Sequence, residues 1–116
     1  GVGYFLNVHE GPHSISKNNK VPLIKGMVVS NEPGYYEKDN FGIRIENLIY
    51  VKKIKKRKLF ENLTVAPIDK DLIEKKLLNK TEKNWLNSYH KKVFKNLKNG
   101  MNKNELLDLK TACSAI

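Results

Sequence analysis

Met27-Val28-Val29-Ser30-Asn31-Glu32-Pro33-Gly34, then Phe41-Gly42-Ile43-Arg44-Ile45-Glu46-Asn47-Leu48-Ile49-Tyr50-Val51, carries the plainest pattern in the chain. The first segment is a short apolar run, Met27 to Ser30, that continues into Asn31-Glu32 and is cut by Pro33-Gly34, a strong turn signal. The second alternates, with Phe41, Ile43 and Ile45 on one side and Gly42, Arg44 and Glu46 on the other, and predicts one strand through Val51. Two strands joined by a turn and a short loop form an antiparallel pair, on which Glu32 and Glu46 are expected to face each other.

Beyond Val51 the run Lys52-Lys53-Ile54-Lys55-Lys56-Arg57-Lys58 reads as a strand end entering an exposed basic turn, and Phe60 to Ala66 as a further strand closed by Pro67. The texture then becomes helical. Asp69 is placed to cap a short helix through Leu78, with Ile73 and Leu77 one turn apart. Thr81-Glu82-Lys83-Asn84 opens a longer helix in which Trp85, Leu86, Tyr89, Val93 and Phe94 recur at helical spacing, which assigns Trp85 and Tyr89 to the core. Asn99-Gly100 stops it. Asn104 to Ala112 forms a last amphipathic helix through Leu106, Leu107 and Leu109. The class is α+β, strands first and helices after.

A chain of 116 residues holds one small domain or a fragment of a larger one. No apolar run approaches the roughly 20 residues that span a bilayer, so no membrane is expected as partner. The opening Gly1-Val2-Gly3, without an initiator Met, reads as part of a longer protein. A single cysteine, Cys113, excludes an internal disulfide and fits a reducing compartment, hence the cytoplasm. The net charge of +10 is unevenly spread: residues 1–50 are neutral, and residues 51–116 carry seventeen basic and seven acidic side chains. Twenty of the 22 basic residues are Lys and 14 residues are Asn, as a genome rich in Lys and Asn codons would place on any solvated face. Contact with a polyanion is the competing explanation; no nucleic acid is expected as partner.

His9-Glu10-Gly11-Pro12-His13 matches the H-E-x-x-H pattern of zinc proteases. That chemistry needs a helix to turn both imidazoles to one metal, and Gly11 and Pro12 cost a helix interior roughly 1 and 3 kcal/mol. The zinc-helix reading is rejected. The alternative set is His9, Glu32, Arg44 and Glu46. A carboxylate within a buried strand is expensive unless paired or bound to metal, and Arg44 shares the face of Glu46 two residues away. From spacing alone, an Arg–Glu ladder on an exposed sheet face explains the set as readily as a metal site does.

Three segments in order, His9-Glu10-Gly11-Pro12, Ser30-Asn31-Glu32-Pro33-Gly34-Tyr35-Tyr36 and Gly42-Ile43-Arg44-Ile45-Glu46-Asn47, resemble the last three catalytic motifs of the aminopeptidase P family. Gly1-Val2-Gly3-Tyr4-Phe5-Leu6-Asn7-Val8 looks like the tail of that family's Gly-x-Gly-His-Gly-x-Gly segment. Phe60-Glu61-Asn62-Leu63-Thr64 and Trp85-Leu86-Asn87-Ser88-Tyr89-His90 resemble the C-terminal extension of its longer branch.

The resemblance implies the C-terminal portion of a pita-bread metallopeptidase domain over residues 1–54 and a C-terminal extension, a strand followed by helices, over residues 55–116. It implies a hydrolase that uses two divalent ions and an activated water to release the N-terminal residue from peptides with proline in second position. Mn²⁺ suits the oxygen-rich ligation best, with Zn²⁺ or Co²⁺ possible. Glu32 and Glu46 would be metal ligands, two of the family's five. Glu32 would also move protons, His9 would contact the peptide or the tetrahedral intermediate, and Arg44 would orient Glu46. The remaining ligands lie upstream in that family, so this chain alone is expected to be inactive. Asp39, Asp69, Asp71 and Asp108 match no motif. Glu10 has no role to transfer, and His13 is expected to be a solvated loop residue. The full-length protein is expected to be a homodimer. Rival readings are a prolidase or methionine-aminopeptidase-like enzyme, and a non-catalytic basic interaction module.

Overall fold

The computed structural model describes residues 1–116, which form two compact units, Gly1–Thr64 and Val65–Ile116. The first unit contains β1 (Val28–Asn31), β2 (Gly34–Tyr36), β3 (Gly42–Arg44), β4 (Asn47–Ile54) and β5 (Arg57–Asn62). β1, β4 and β5 form an antiparallel sheet in the order β1-β4-β5, and β2 pairs with β3 alone.

The two ladders share one register. Val28 pairs with Tyr50 and Asn31 with Asn47; Gly34 then pairs with Arg44 and Tyr36 with Gly42. Continuing the count across the gap places Glu32 opposite Glu46 and Pro33 opposite Ile45. Main-chain bonds follow the same count, with Val51 N–H donating to Met27 O (2.9 Å), Ile45 N–H to Pro33 O (3.2 Å) and Glu37 N–H to Phe41 O (2.8 Å). The single strand predicted from Phe41 to Val51 is therefore divided at Ile45-Glu46. Its cause lies across the ladder: Pro33 has no N–H, so the Pro33/Ile45 pair makes only one of its two bonds.

β1 and β4 bury one face, through Val29, Ile49 and Val51. β4 turns into β5 through Lys55-Lys56, with Lys55 at φ 53°. Because Ile54 already pairs with Arg57, β5 starts there and ends at Asn62, earlier than the strand predicted over Phe60 to Ala66. Leu63 N–H then donates to Leu48 O (2.8 Å), and Leu48 N–H to Thr64 Oγ1 (2.8 Å), closing the end of the sheet.

In the second unit the helix predicted from Asp69 to Leu78 is absent. Asp69 Oδ1 accepts the Asp71 N–H (3.0 Å), and isolated turns follow through Lys70–Ile73 and Glu74–Leu77. Leu72 and Leu77 are exposed, so the segment has too little apolar burial to offset helix nucleation. Helix α1 (Lys80–Leu97) starts at Asn79, whose side chain accepts the Glu82 N–H (3.0 Å) while Glu82 accepts the Asn79 N–H (2.8 Å), a complete capping box. A 3-10 turn (Lys98–Gly100) leads to α2 (Lys103–Ala112), capped in the same way by Asn102 and Glu105.

Tyr89, Val93 and Leu109 form the core, flanked by Ile68, Phe94, Leu97, Met101 and Cys113. Trp85, predicted to be core, is instead 52% exposed and stacks on Tyr89 at 5.5 Å. The helical stripe is narrower than its apolar residues suggest, and Leu107 is likewise exposed. His90, adjacent to Tyr89, is fully buried. Its Nε2 accepts the Ile68 N–H (3.1 Å), which puts the ring proton on Nδ1.

Candidate active-site face

The register that sets Glu32 opposite Glu46 also decides their company. In the alternation of an antiparallel ladder, the Pro33/Ile45 pair is hydrogen-bonded, so Glu32/Glu46 falls on a non-bonded pair, where Cα atoms approach to about 4.5 Å and side chains share one face. Arg44 stands on that face. Its Nη1 is 3.8 Å from Glu32 Oε2 and its Nη2 is 3.4 Å from Glu46 Oε2. Ser30, two residues before Glu32, donates its hydroxyl to Glu32 Oε1 (2.8 Å).

His9 arrives from the N-terminal loop. Val2 N–H donates to Val28 O on the free edge of β1 (3.2 Å), and Val2 and His9 form a two-residue bridge. This carries His9 Nε2 to 3.6 Å from Glu32 Oε1. The structure thus brings all four candidates, His9, Glu32, Arg44 and Glu46, to one place beside a cleft of about 430 Å³ bordered by Gly1, Ser14 and the end of β1. Glu32 is half-buried and Glu46 is exposed, with side-chain exposures of 31% and 39%, so neither is enclosed in a strand interior.

Residues 9–13 are not helical, and the two histidines of that pattern diverge. His13 is not solvated as predicted: it is half-buried, and its Nε2 donates to Val28 O (3.0 Å). The sequence gives no hint of this contact, because Val28 lies fifteen residues away on another element. Asp39 lies in the β2–β3 turn at φ 58°, far in register from the carboxylate pair.

Two like charges on opposed positions repel. Arg44 relieves that repulsion in part, and the clustered oxygens remain hard donors suited to a divalent cation. The residues of this chain suit such a centre only in part. The donor chemistry suits such a cation, yet no three His, Cys, Asp or Glu side chains of this chain gather closely enough to hold one. The face has the make-up of one side of a metal centre.

Comparison with known proteins agrees. Residues 1–53 match the metallopeptidase family M24, and residues 59–116 match the C-terminal region of peptidase M24. A probable Xaa-Pro aminopeptidase P of Laccaria bicolor is 49% identical over 105 residues, covering 81% of this chain and 16% of that protein. Aminopeptidase P2 of Arabidopsis thaliana is 51% identical over 104 residues, covering 81% and 15%. The crystal structure of an X-prolyl aminopeptidase from Caenorhabditis elegans, described as a cytosolic enzyme with a di-nuclear active site, matches with a TM-score of 0.84 and 39% identity, covering 100% of this chain and 20% of that one. The chain spans a fifth or less of the length of these proteins. Its strands are the C-terminal portion of a pita-bread fold followed by a helical extension, and the chain belongs to metallopeptidase family M24.

Proposed function

We propose that the whole protein is a dinuclear-metal Xaa-Pro aminopeptidase, a hydrolase that removes the N-terminal residue from peptides with proline in second position, and that this chain supplies part of its active site. The observation that carries this reading is the opposed pair Glu32/Glu46, with Arg44 reaching both carboxylates and His9 beside Glu32. The names and the di-nuclear centre of the matched proteins support it. Residues 1–54 would belong to the catalytic domain and residues 55–116 to its extension.

Glu32 and Glu46 would hold the ions together with ligands from elsewhere in the protein; Mn²⁺ fits this oxygen-rich set best. Bound there, divalent ions supply a water of lowered pKa for attack on the carbonyl before proline. Arg44 would steady both carboxylates, its Nη2 3.4 Å from Glu46 Oε2 and its Nη1 3.8 Å from Glu32 Oε2. Glu32 would carry a proton between water and the leaving nitrogen, with His9 Nε2 3.6 Å from its Oε1. His9 would donate to the peptide carbonyl oxygen as negative charge develops there. The protein would act in the cytoplasm, as a homodimer.

Glu46→Gln in the full-length protein tests the reading. Hydrolysis of a Xaa-Pro tripeptide should fall by at least about 100-fold, with metal content reduced and the circular dichroism spectrum unchanged. Wild-type turnover in that variant defeats the ligand role. Cleavage of Xaa-Pro dipeptides alone by the wild type would mark a prolidase instead, and a folded wild type that takes up no metal would mark a binding module.

A further inference from the structure

Glu10 has no part in the chemistry above, yet it is the organising group of the loop before it. Its Oε1 accepts the N–H groups of Leu6 (3.0 Å) and Asn7 (3.2 Å), and its Oε2 accepts that of Tyr4 (3.2 Å). These bonds hold the carboxyl below the usual carboxylate range, so it stays ionised and acceptor-only. Side-chain packing adds little to the loop's shape. Tyr4, Phe5, Leu6 and Val8 are all at least 79% exposed, so apolar packing within the chain does not fix it.

Main-chain contacts draw the loop's ends together. Gly3 N–H donates to Val8 O (2.7 Å), and Glu10 N–H donates to Gly1 O (3.2 Å). A Cβ on Gly3 would stand 1.6 Å from Asn7 O and 3.2 Å from Glu10 Cγ, so the loop closes only on glycine. The residue that leaves this closed loop is His9, next to Glu10 in the chain and 3.6 Å from Glu32.

We propose that Glu10 is a positioning residue: by gathering the Tyr4, Leu6 and Asn7 amides onto one carboxylate, it sets the loop that presents His9 to Glu32. The inference rests on the reading of His9 and Glu32 as active-site groups. It gives the Glu of the His9-Glu10-Gly11-Pro12 segment a task other than proton transfer in a zinc helix.

The experiment compares full-length wild type, Glu10→Ala and Glu10→Gln by amide hydrogen exchange, metal content, and kcat and KM on a Xaa-Pro tripeptide. In Glu10→Ala the Tyr4, Leu6 and Asn7 amides should exchange at least about 10-fold faster. Its kcat should fall about 10- to 100-fold as His9 loses its placement, with metal content and KM near wild type. Glu10→Gln keeps one acceptor oxygen, so Leu6 and Asn7 should stay protected while Tyr4 does not, with kcat between the other two. Wild-type exchange or wild-type kcat in Glu10→Ala overturns the proposal. If that variant fails to fold, Glu10→Gln decides: selective loss of Tyr4 protection with lowered kcat upholds it, and no change in either overturns it. A wild type without Xaa-Pro hydrolysis sinks the functional reading instead, and the loop assignment is then judged on exchange alone.

Discussion

The helical unit and the β unit are held together by different means. Residues 65–116 bury Leu86, Tyr89, His90, Val93 and Leu109, and both helices carry complete capping boxes. Residues 1–64 form the larger unit, yet among them only Val29, Ile49 and Val51 are buried. Their shape is set by ladder pairing and by polar contacts such as those of Glu10, His13 and Arg44. A unit with so small a core and so many exposed aromatics has surface suited to being covered. The carboxylates stand on the face opposite Val29, Ile49 and Val51. Side-chain packing builds the helical unit, whereas the β unit gives up packing to display charge.

The comparison breaks most completely if the β unit proves self-sufficient. Purified residues 1–116 with added Mn²⁺ should show no release of the N-terminal residue from a Xaa-Pro tripeptide and only weak heat on titration, because two carboxylates leave most of a coordination sphere to water. Metal-dependent cleavage, free of contaminating enzyme, would show that this face needs no other ligands.

A smaller effect sharpens the other side. His90→Ala removes a fully buried ring and leaves the Ile68 N–H without its acceptor, so thermal or urea unfolding of the helical signal should register a loss of about 2–4 kcal/mol. Burial first, and then the nearby Lys70 charge, hold the His90 pKa below its ordinary 6.5. The unfolded chain therefore takes up the proton before the folded one does. Stability contributed by neutral His90 is complete above pH 6.5 and is lost as pH falls below it, by at most about 1.4 kcal/mol per pH unit. The variant should lack that slope, and an equal slope in both proteins would assign it to other groups. Smallest of all, Asn79→Ala should cost about 1 kcal/mol by opening the capping box of α1. A cost near zero would mean that packing alone starts the helix.

How far the sequence could be read depended on whether a feature was local. The facing of Glu32 and Glu46 was legible from alternation, although the turn expected at Pro33-Gly34 is absent: Gly34 pairs with Arg44, and the chain reverses between Glu37 and Phe41. The break at Ile45-Glu46 was not, because the missing donor belongs to Pro33 on the opposite strand. The start of β5 was hidden by a run of lysines, and Lys55 takes a left-handed conformation more usual for Gly or Asn. Both long-range histidine contacts escaped for a shared reason: His13 meets Val28 and His90 meets Ile68 through backbone groups, which no side-chain pattern records. Asp69, expected to cap a helix, instead accepts the Asp71 N–H and closes a turn.

The shared register of the two ladders restricts how this region can vary in length. Inserting or deleting one residue between Glu32 and Tyr36, or between Gly42 and Glu46, would shift one strand against the other and send a carboxylate to the opposite face. The turn residues between Glu37 and Phe41, Lys38 to Asn40, lie outside that count, so residues can be gained or lost there with the carboxylate pair intact. Length differences among related chains should therefore collect at the tip of this hairpin and be missing from its stem.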